Sequence, residues 1–267
     1  MSQTIETNTA DYVFHNVPEQ LTPLQAFLDP FTRNELLELG VPAGARCLDL
    51  GAGGGSVTRM LSGLAGPRGT VTAIDQDVHM IPGGPNITVH TQDLGSGEPL
   101  PVSGPFDIIH ARLLTHHLDN RVELVHRLAG ELKPGGWLLL GEFVRSKPRV
   151  VAAPSEEDAE IFRTVLDGLY DVMTATHTHG DWGHHVETTM MDAGLVNTRT
   201  RWHFESFHGG SHGCRLLQNN VAQKRDDIVA HGLPAADVDR FVNVLMTDPR
   251  MVVRSHEFIS VRGQREA

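Results

Sequence analysis

Cys47-Leu-Asp-Leu-Gly-Ala-Gly-Gly-Gly-Ser56 is the stretch on which the reading of this chain turns. Its apolar start, 46–50, fits a buried strand, the glycines turn the chain, and a helix is predicted to begin near Ser56. Val57, Met60, Leu61 and Leu64 give that helix one apolar face. The pattern then repeats. Strands are predicted over 70–74, 87–90, 106–110 and 137–143, and Val122, Val125, Leu128 and Leu132 mark a second amphipathic helix. Short apolar strands alternating with helices predict an α/β fold, a doubly wound parallel sheet covered on both faces.

Outward from this core, residues 1–44 read as an N-terminal helical cap. Asp29-Pro30 predicts a short helix start, Leu36, Leu37 and Leu39 follow, and Gly40 ends it. Residues 45–145 form the predicted cofactor-binding core, with Lys133-Pro-Gly-Gly136 as a turn between helix and strand. Past it, Lys147-Pro148 and Ala153-Pro154 interrupt the chain, and a long helix is predicted over 156–176. That helix and the next make residues 146–195 a helical lid. Residues 196–267 read as strand (196–207), two helices (214–231 and 235–246) and strand (252–261), completing the sheet.

Composition narrows the function. With 33 acidic against 22 basic residues the formal charge is −11, which repels phosphate backbones and anionic membrane surfaces. Neither nucleic acid nor membrane is an expected partner. No apolar run approaches the roughly 20 residues that cross a bilayer. Residues 1–11 lack the basic start and apolar stretch of a secretory signal, and the two cysteines, Cys47 and Cys214, offer no disulfide framework. A cytoplasmic location is the expectation.

The glycine turn follows the first strand, where open α/β sheets bind ligands. Dinucleotide sites use such turns, but their G-x-G-x-x-G/A pattern needs Gly or Ala where this chain has Ser56. Asp49, just before the turn, would repel a pyrophosphate and suits an ammonium group. Asp75 ends the next strand, twenty residues after Gly55, and its two acceptor oxygens match the vicinal hydroxyls of a ribose. Gln92-Asp93-Leu94 follows the third strand; there Asp93 would accept from an adenine amino group while Leu94 covers the ring. A positively charged nucleoside without phosphate fits these groups, and S-adenosylmethionine is one.

The blocks DLGAGGGS, TAID, QDL, FDIIHARLLTHH and LKPGGWLLLGEF, in this order and spacing, resemble the class I S-adenosylmethionine-dependent methyltransferases. The opening LELGVPAGARCLDLGAGGGSVTRML is most similar to a group of actinobacterial-type small-molecule methyltransferases, and the specific likeness covers 36–143. The resemblance implies a seven-stranded sheet ending in an antiparallel hairpin. It implies a cofactor pocket lined by Asp49, Gly51, Ala52, Gly53, Asp75, Gln76, Asp93 and Leu94, with His110, Ala111 and Arg112 after the fourth strand. It further implies methyl transfer to a small-molecule acceptor at oxygen, nitrogen or carbon, with secondary metabolism as the setting. The oligomeric state stays open, a homodimer with swapped caps being one form in this family.

Transfer from a sulfonium is an in-line displacement, in which orienting the nucleophile does much of the work. A hydroxyl nucleophile gains from a general base. His116 and His117, just past the fourth strand, and Glu142, ending the fifth, are the candidates; packing at the next helix start is the alternative role for the histidines. His177, His179, Asp181, His184 and His185 carry metal-ligating chemistry, but without a nearby cysteine the stretch reads as a lid or a substrate-contacting loop, and no metal is assigned. Tyr12, Phe14, Tyr170, Met173 and Trp182 are candidate walls of the acceptor pocket, against the commoner role of such residues in a core. Two competing readings remain: a nicotinamide-dependent oxidoreductase, and an S-adenosylmethionine-binding cyclase or binding module that transfers no methyl group.

Overall fold

The computed structural model describes residues 18–144, 146–174 and 181–267. The chain opens on α1 (Pro18–Leu39). Strands β1 (Arg46–Leu50), β2 (Thr70–Asp75), β3 (Ile87–Thr91), β4 (Phe106–Arg112) and β5 (Leu132–Phe143) follow, with α2 (Ser56–Ala65) after β1 and α3 (Arg121–Gly130) before β5. Beyond β5 come β6 (Arg149–Ala152), α4 (Glu156–Thr174), α5 (Val186–Asp192), β7 (Val196–His203) and β8 (Ser206–His208). The chain finishes with α6 (His212–Gln223), α7 (Arg225–Ala230), α8 (Ala235–Asn243), β9 (Val252–Arg254) and β10 (Phe258–Gln264).

Seven strands form the main sheet in the order β3-β2-β1-β4-β5-β10-β7. The first five are parallel, and β10 runs antiparallel to both β5 and β7. The period-2 alternation of strand side chains divides the core between the two faces. Leu48, Leu50, Ile109, Leu138 and Leu140 pack on one side with α3 and α5, while Cys47, Val71, Ile108 and Leu139 pack on the other against α2. Burial pushes the Cys47 thiol up to about 12, so it stays protonated. No helix among the described residues is long and apolar enough to cross a membrane.

A second, three-stranded antiparallel sheet, β6-β9-β8, was not predicted. It shares a core with α4, α6 and α8 in which Phe162 stacks on Phe241, ring centroids 5.4 Å apart. The two predicted C-terminal strands each divide to build it. Val252–Arg254 joins the small sheet and Phe258–Gln264 the large one, with β8 split from β7 in the same way. Ser255 sits at the joint, its N–H donating to the Glu205 carbonyl at 2.8 Å.

Three further expectations change. The cap helix starts at Pro18 rather than Asp29 and runs through Pro23 and Pro30. An internal proline costs about 3 kcal/mol, offset here by burying Phe27 and Leu28 against Leu216 and Phe258. The helix predicted over 214–231 breaks at Lys224. The Lys133–Gly136 turn lies inside β5 as an irregularity, since Phe106 pairs with Leu132 but Ile108 already with Trp137.

Phe258 is fully buried and packs edge-on to Phe143 at 5.8 Å while facing Phe31 at 6.5 Å. Phe258→Ala is expected to lower unfolding free energy by about 3–5 kcal/mol, read from urea denaturation; a loss below about 1 kcal/mol would contradict this packing role.

Candidate active site

β1 pairs with β2 on one side and β4 on the other, so the connections leaving it diverge and open a crevice at its carboxyl end. The glycine turn lines that crevice. Gly51 has φ +65°, in the left-handed region open to glycine, and a Cβ there would lie 3.1 Å from Leu114 Cβ. The Gly53 N–H donates to Asp75 Oδ2 at 2.8 Å and the Asp77 N–H to Asp75 Oδ1 at 3.0 Å, so the carboxylate bridges two strand ends. Burial raises the Asp75 pKa, against those two hydrogen bonds.

Two cavities meet at Gly51, Asp75 and Leu114. The larger, about 620 Å³, lies between α1 (Leu21, Leu24, Gln25), the turn Gly51–Gly54, and Asp49, His110 and Arg112. The smaller, about 330 Å³, is bordered by Gln76, Gln92, Asp93, Leu94, His117 and Leu118. Of the predicted cofactor residues, Ala52 borders the larger cavity, whereas Ala111 is buried in β4 and borders neither.

Both oxygens of the buried Asp49 have partners: Thr58 Oγ1 donates to Oδ2 at 2.6 Å, and His110 Nδ1 lies 2.8 Å from Oδ1. Instead of standing free for an ammonium group, this carboxylate orients His110. Arg112 is the one residue bordering the larger cavity that carries a permanent positive charge, among the described residues. Its guanidinium donates to Asp29 Oδ1 (2.9 Å), Thr32 Oγ1 (3.0 Å) and Ser56 Oγ (3.3 Å), which ties α1 to the glycine turn. Asp29, predicted as a helix cap, is spent on this contact. Leu113, next along, has φ +53°, a strained conformation for a leucine, and borders the same cavity.

Gln92 is a site residue that sequence reasoning passed over, although it stands in the quoted QDL block. Gln92 borders the smaller cavity; its Nε2 donates to the Pro99 carbonyl, while its Oε1 is buried with no hydrogen-bond partner. Asp93 is exposed at the rim, its Oδ1 accepting from the Gly95 N–H at 2.8 Å. The cavity walls from α1, with Leu113 and Leu114, were likewise not foreseen, because nothing in their sequence distinguishes them from core leucines.

The predicted bases separate. Glu142 is 1% exposed and borders neither cavity. One oxygen accepts from the Thr115 N–H (2.9 Å) and hydroxyl, and the other lies 2.6 Å from His116 Nδ1. Trp182, buried in the core, donates its indole N–H to Thr115 Oγ1 at 2.7 Å. Glu142, His116 and Trp182 are therefore tied together through Thr115 and Glu142, and none of the three borders either cavity. His117 does reach a cavity, the smaller one, beside Asp93 and Leu94; burial, then His116, lowers its pKa to about 3. Tyr170 and Met173, on α4, border neither cavity, and the Tyr170 hydroxyl lies 3.0 Å from the Ser146 carbonyl. Tyr12, Phe14, His177 and His179 fall outside the described residues, within which no group of three or more His, Cys, Asp or Glu side chains could hold a metal.

The profile of the methyltransferase domain family matches residues 24–197, nearly two thirds of the chain. The chain belongs to this family, the class I methyltransferases, whose methyl donor is S-adenosylmethionine. It is 33% identical to methyltransferase str2 of Strobilurus tenacellus over 42% of this chain and 40% of that protein. It is 31% identical to the ubiquinone/menaquinone biosynthesis C-methyltransferase UbiE of Pseudomonas paraeruginosa, over 46% of this chain and 50% of that one. The matched region thus spans half or less of these relatives' length. Among solved structures, the YcgJ protein of Bacillus subtilis shares the fold, with a TM-score of 0.55 and 16% identity over 89% of this chain and 99% of that one. The actinobacterial-type grouping has no support among these matches.

Gly51→Ala should cost about 1–2 kcal/mol in a left-handed position and drive Leu114 into the junction of the cavities. Calorimetry with S-adenosylhomocysteine is expected to show at least tenfold weaker binding by a protein with an unchanged circular dichroism spectrum; unaltered affinity would contradict the cradle. A second expectation concerns acid. His117 (about 3), His203 (about 4) and His256 (about 4) all sit below the ordinary value of 6.5, chiefly through burial. The unfolded chain then binds more protons, so stability is lost as pH falls from about 6.5 toward 4. Thermal melts across that range should show the loss, with a shallower slope in His203→Gln.

Proposed function

We propose that this chain transfers the methyl group of S-adenosylmethionine to a small organic acceptor. The observation that carries the reading is the joined pair of cavities at the carboxyl end of β1, whose polar groups match that donor from end to end. Asp75 would take the ribose hydroxyls. The unpartnered Gln92 Oε1, with Asp93, suits an adenine amino group, and Leu94 and Leu118 its ring faces. Arg112 would meet the methionine carboxylate, and His110, held by Asp49, lines the same end. Bound there, the cofactor supplies an electrophilic methyl group on a sulfonium. The protein's part is to hold donor and acceptor in line, and α1, fastened through Asp29, excludes water from above.

A small acceptor is supported by the relative named for C-methylation in ubiquinone and menaquinone biosynthesis, and by the acidic chain, which disfavours nucleic acid. Work in the cytoplasm and in secondary metabolism belongs to this reading on resemblance. A nicotinamide dinucleotide is disfavoured because its pyrophosphate would meet Asp49 and Asp75 at the turn.

Calorimetric titration with S-adenosylmethionine, NADH and NADPH tests the reading. Micromolar binding of S-adenosylmethionine is expected, weakened at least tenfold (about 1.4 kcal/mol) by Asp75→Ala, with S-adenosylhomocysteine released during turnover. Tighter binding of NADH, or none of S-adenosylmethionine, would overturn it; binding without S-adenosylhomocysteine release would leave a binding module.

A further inference from the structure

Arg112 ends β4, Leu113 and Leu114 follow it, and all three border the larger cavity. Leu114 also borders the smaller one, at the junction with Gly51 and Asp75. Leu113 is thus the residue between that junction and the guanidinium. Its φ of +53° lies in the left-handed region, where a Cβ crowds the backbone and glycine is the ordinary occupant. The other non-glycine residue there among those described, Asn197, is of a type that tolerates the conformation; leucine is not.

Contacts on both sides hold the leucine in place. Its N–H donates to the Gly141 carbonyl of β5 at 2.8 Å. Two residues on, the Thr115 N–H donates to Glu142 Oε1 at 2.9 Å and its hydroxyl donates to the same oxygen, while the Trp182 indole N–H donates to that hydroxyl at 2.7 Å. Leu114 meets the glycine turn, since a Cβ on Gly51 would lie 3.1 Å from its own. Leu113 itself packs against the buried cluster of Phe27, Leu28, Leu216 and Phe258 and yet keeps part of its surface accessible. Strained backbone persists only where the surroundings over-determine it, and it gathers at ligand clamps. A wall wedged in this way has little room to swing aside.

Resting on the methyltransferase reading, we propose that Leu113 determines donor specificity: it admits a methyl substituent on the sulfonium and excludes larger S-alkyl groups. The order of the residues matches the order of groups in the donor. That reading sets the ribose on Asp75, at the junction beside Leu114, and the amino-acid carboxylate on Arg112. The sulfonium lies between those two groups, so the residue between Leu114 and Arg112 stands beside it. Leucine is apolar and meets an S-methyl group through dispersion alone. One methylene too many against an apolar wall changes affinity by about 10–200-fold, a discrimination that a relaxed, mobile side chain would soften.

Calorimetry on the full chain compares S-adenosylmethionine with S-adenosylethionine, whose sulfonium carries one more carbon. The wild type is expected to bind the methyl donor at least about tenfold more tightly. Leu113→Gly removes the wall and relaxes the backbone, and should bring that ratio below about threefold. Leu113→Ala should lower the ratio likewise while melting about 2–4 °C below Leu113→Gly, because alanine keeps the left-handed strain that glycine loses. A wild-type ratio near one, or a tenfold ratio kept by both variants, overturns the proposal. Loss of both donors by both variants assigns Leu113 to the fold and overturns it as well. Leu113→Ala melting at or above Leu113→Gly overturns the strained wall. Failure of the wild type to bind S-adenosylmethionine removes the methyltransferase reading itself, an outcome distinct from all of these.

Discussion

The reversal of strand order at β1 is the constraint on which the rest of the molecule depends. Because β2 and β4 flank β1, the chain leaves the sheet in two directions above its end, and a crevice opens between them. The glycine turn exploits that gap. Its left-handed backbone brings main-chain N–H groups to the crevice, and one of them anchors the carboxylate of Asp75 from the neighbouring strand. A site built this way is stiff, since its parts are the ends of hydrogen-bonded strands.

Enclosure comes from elsewhere. α1 reaches across the crevice although it contains two internal prolines, and its hold is partly polar: Arg112 at the end of β4 meets Asp29, Thr32 and Ser56. At its far end, the buried Glu35 pairs with Arg201 at 2.7 Å, and Glu38 adds a second contact to the same guanidinium. Two partly buried arginines thus pin one helix over both the glycine turn and the sheet's antiparallel edge. Removing either would leave acidic partners in a poorly solvated place.

The C-terminal segments show how tertiary structure reassigns local patterns. Each predicted strand there serves two sheets, because two or three residues, Ser255-His256-Glu257 in one case and Phe204-Glu205 in the other, redirect the chain. β-propensity runs unbroken through such a joint. That redirection builds the small sheet under α4 and brings His256 beside Tyr170, residues 86 apart in the chain.

The strand-turn-helix of 46–65 and the parallel run of the first five strands were legible in the sequence itself, because they rest on local periods, glycine backbone and short connections. Tertiary structure decided which side chains face the crevice. Asp49 and Glu142 both follow apolar strand runs in the manner of site residues, yet packing surrounds each with donors and turns it to supporting its neighbours. Gln92 and Leu113 became site candidates only through the surroundings that the folded chain gives them. The reason is physical: a period of two or 3.6 reports which face of an element is buried, whereas the unpartnered oxygen and the strained leucine each depend on what the rest of the chain places around them.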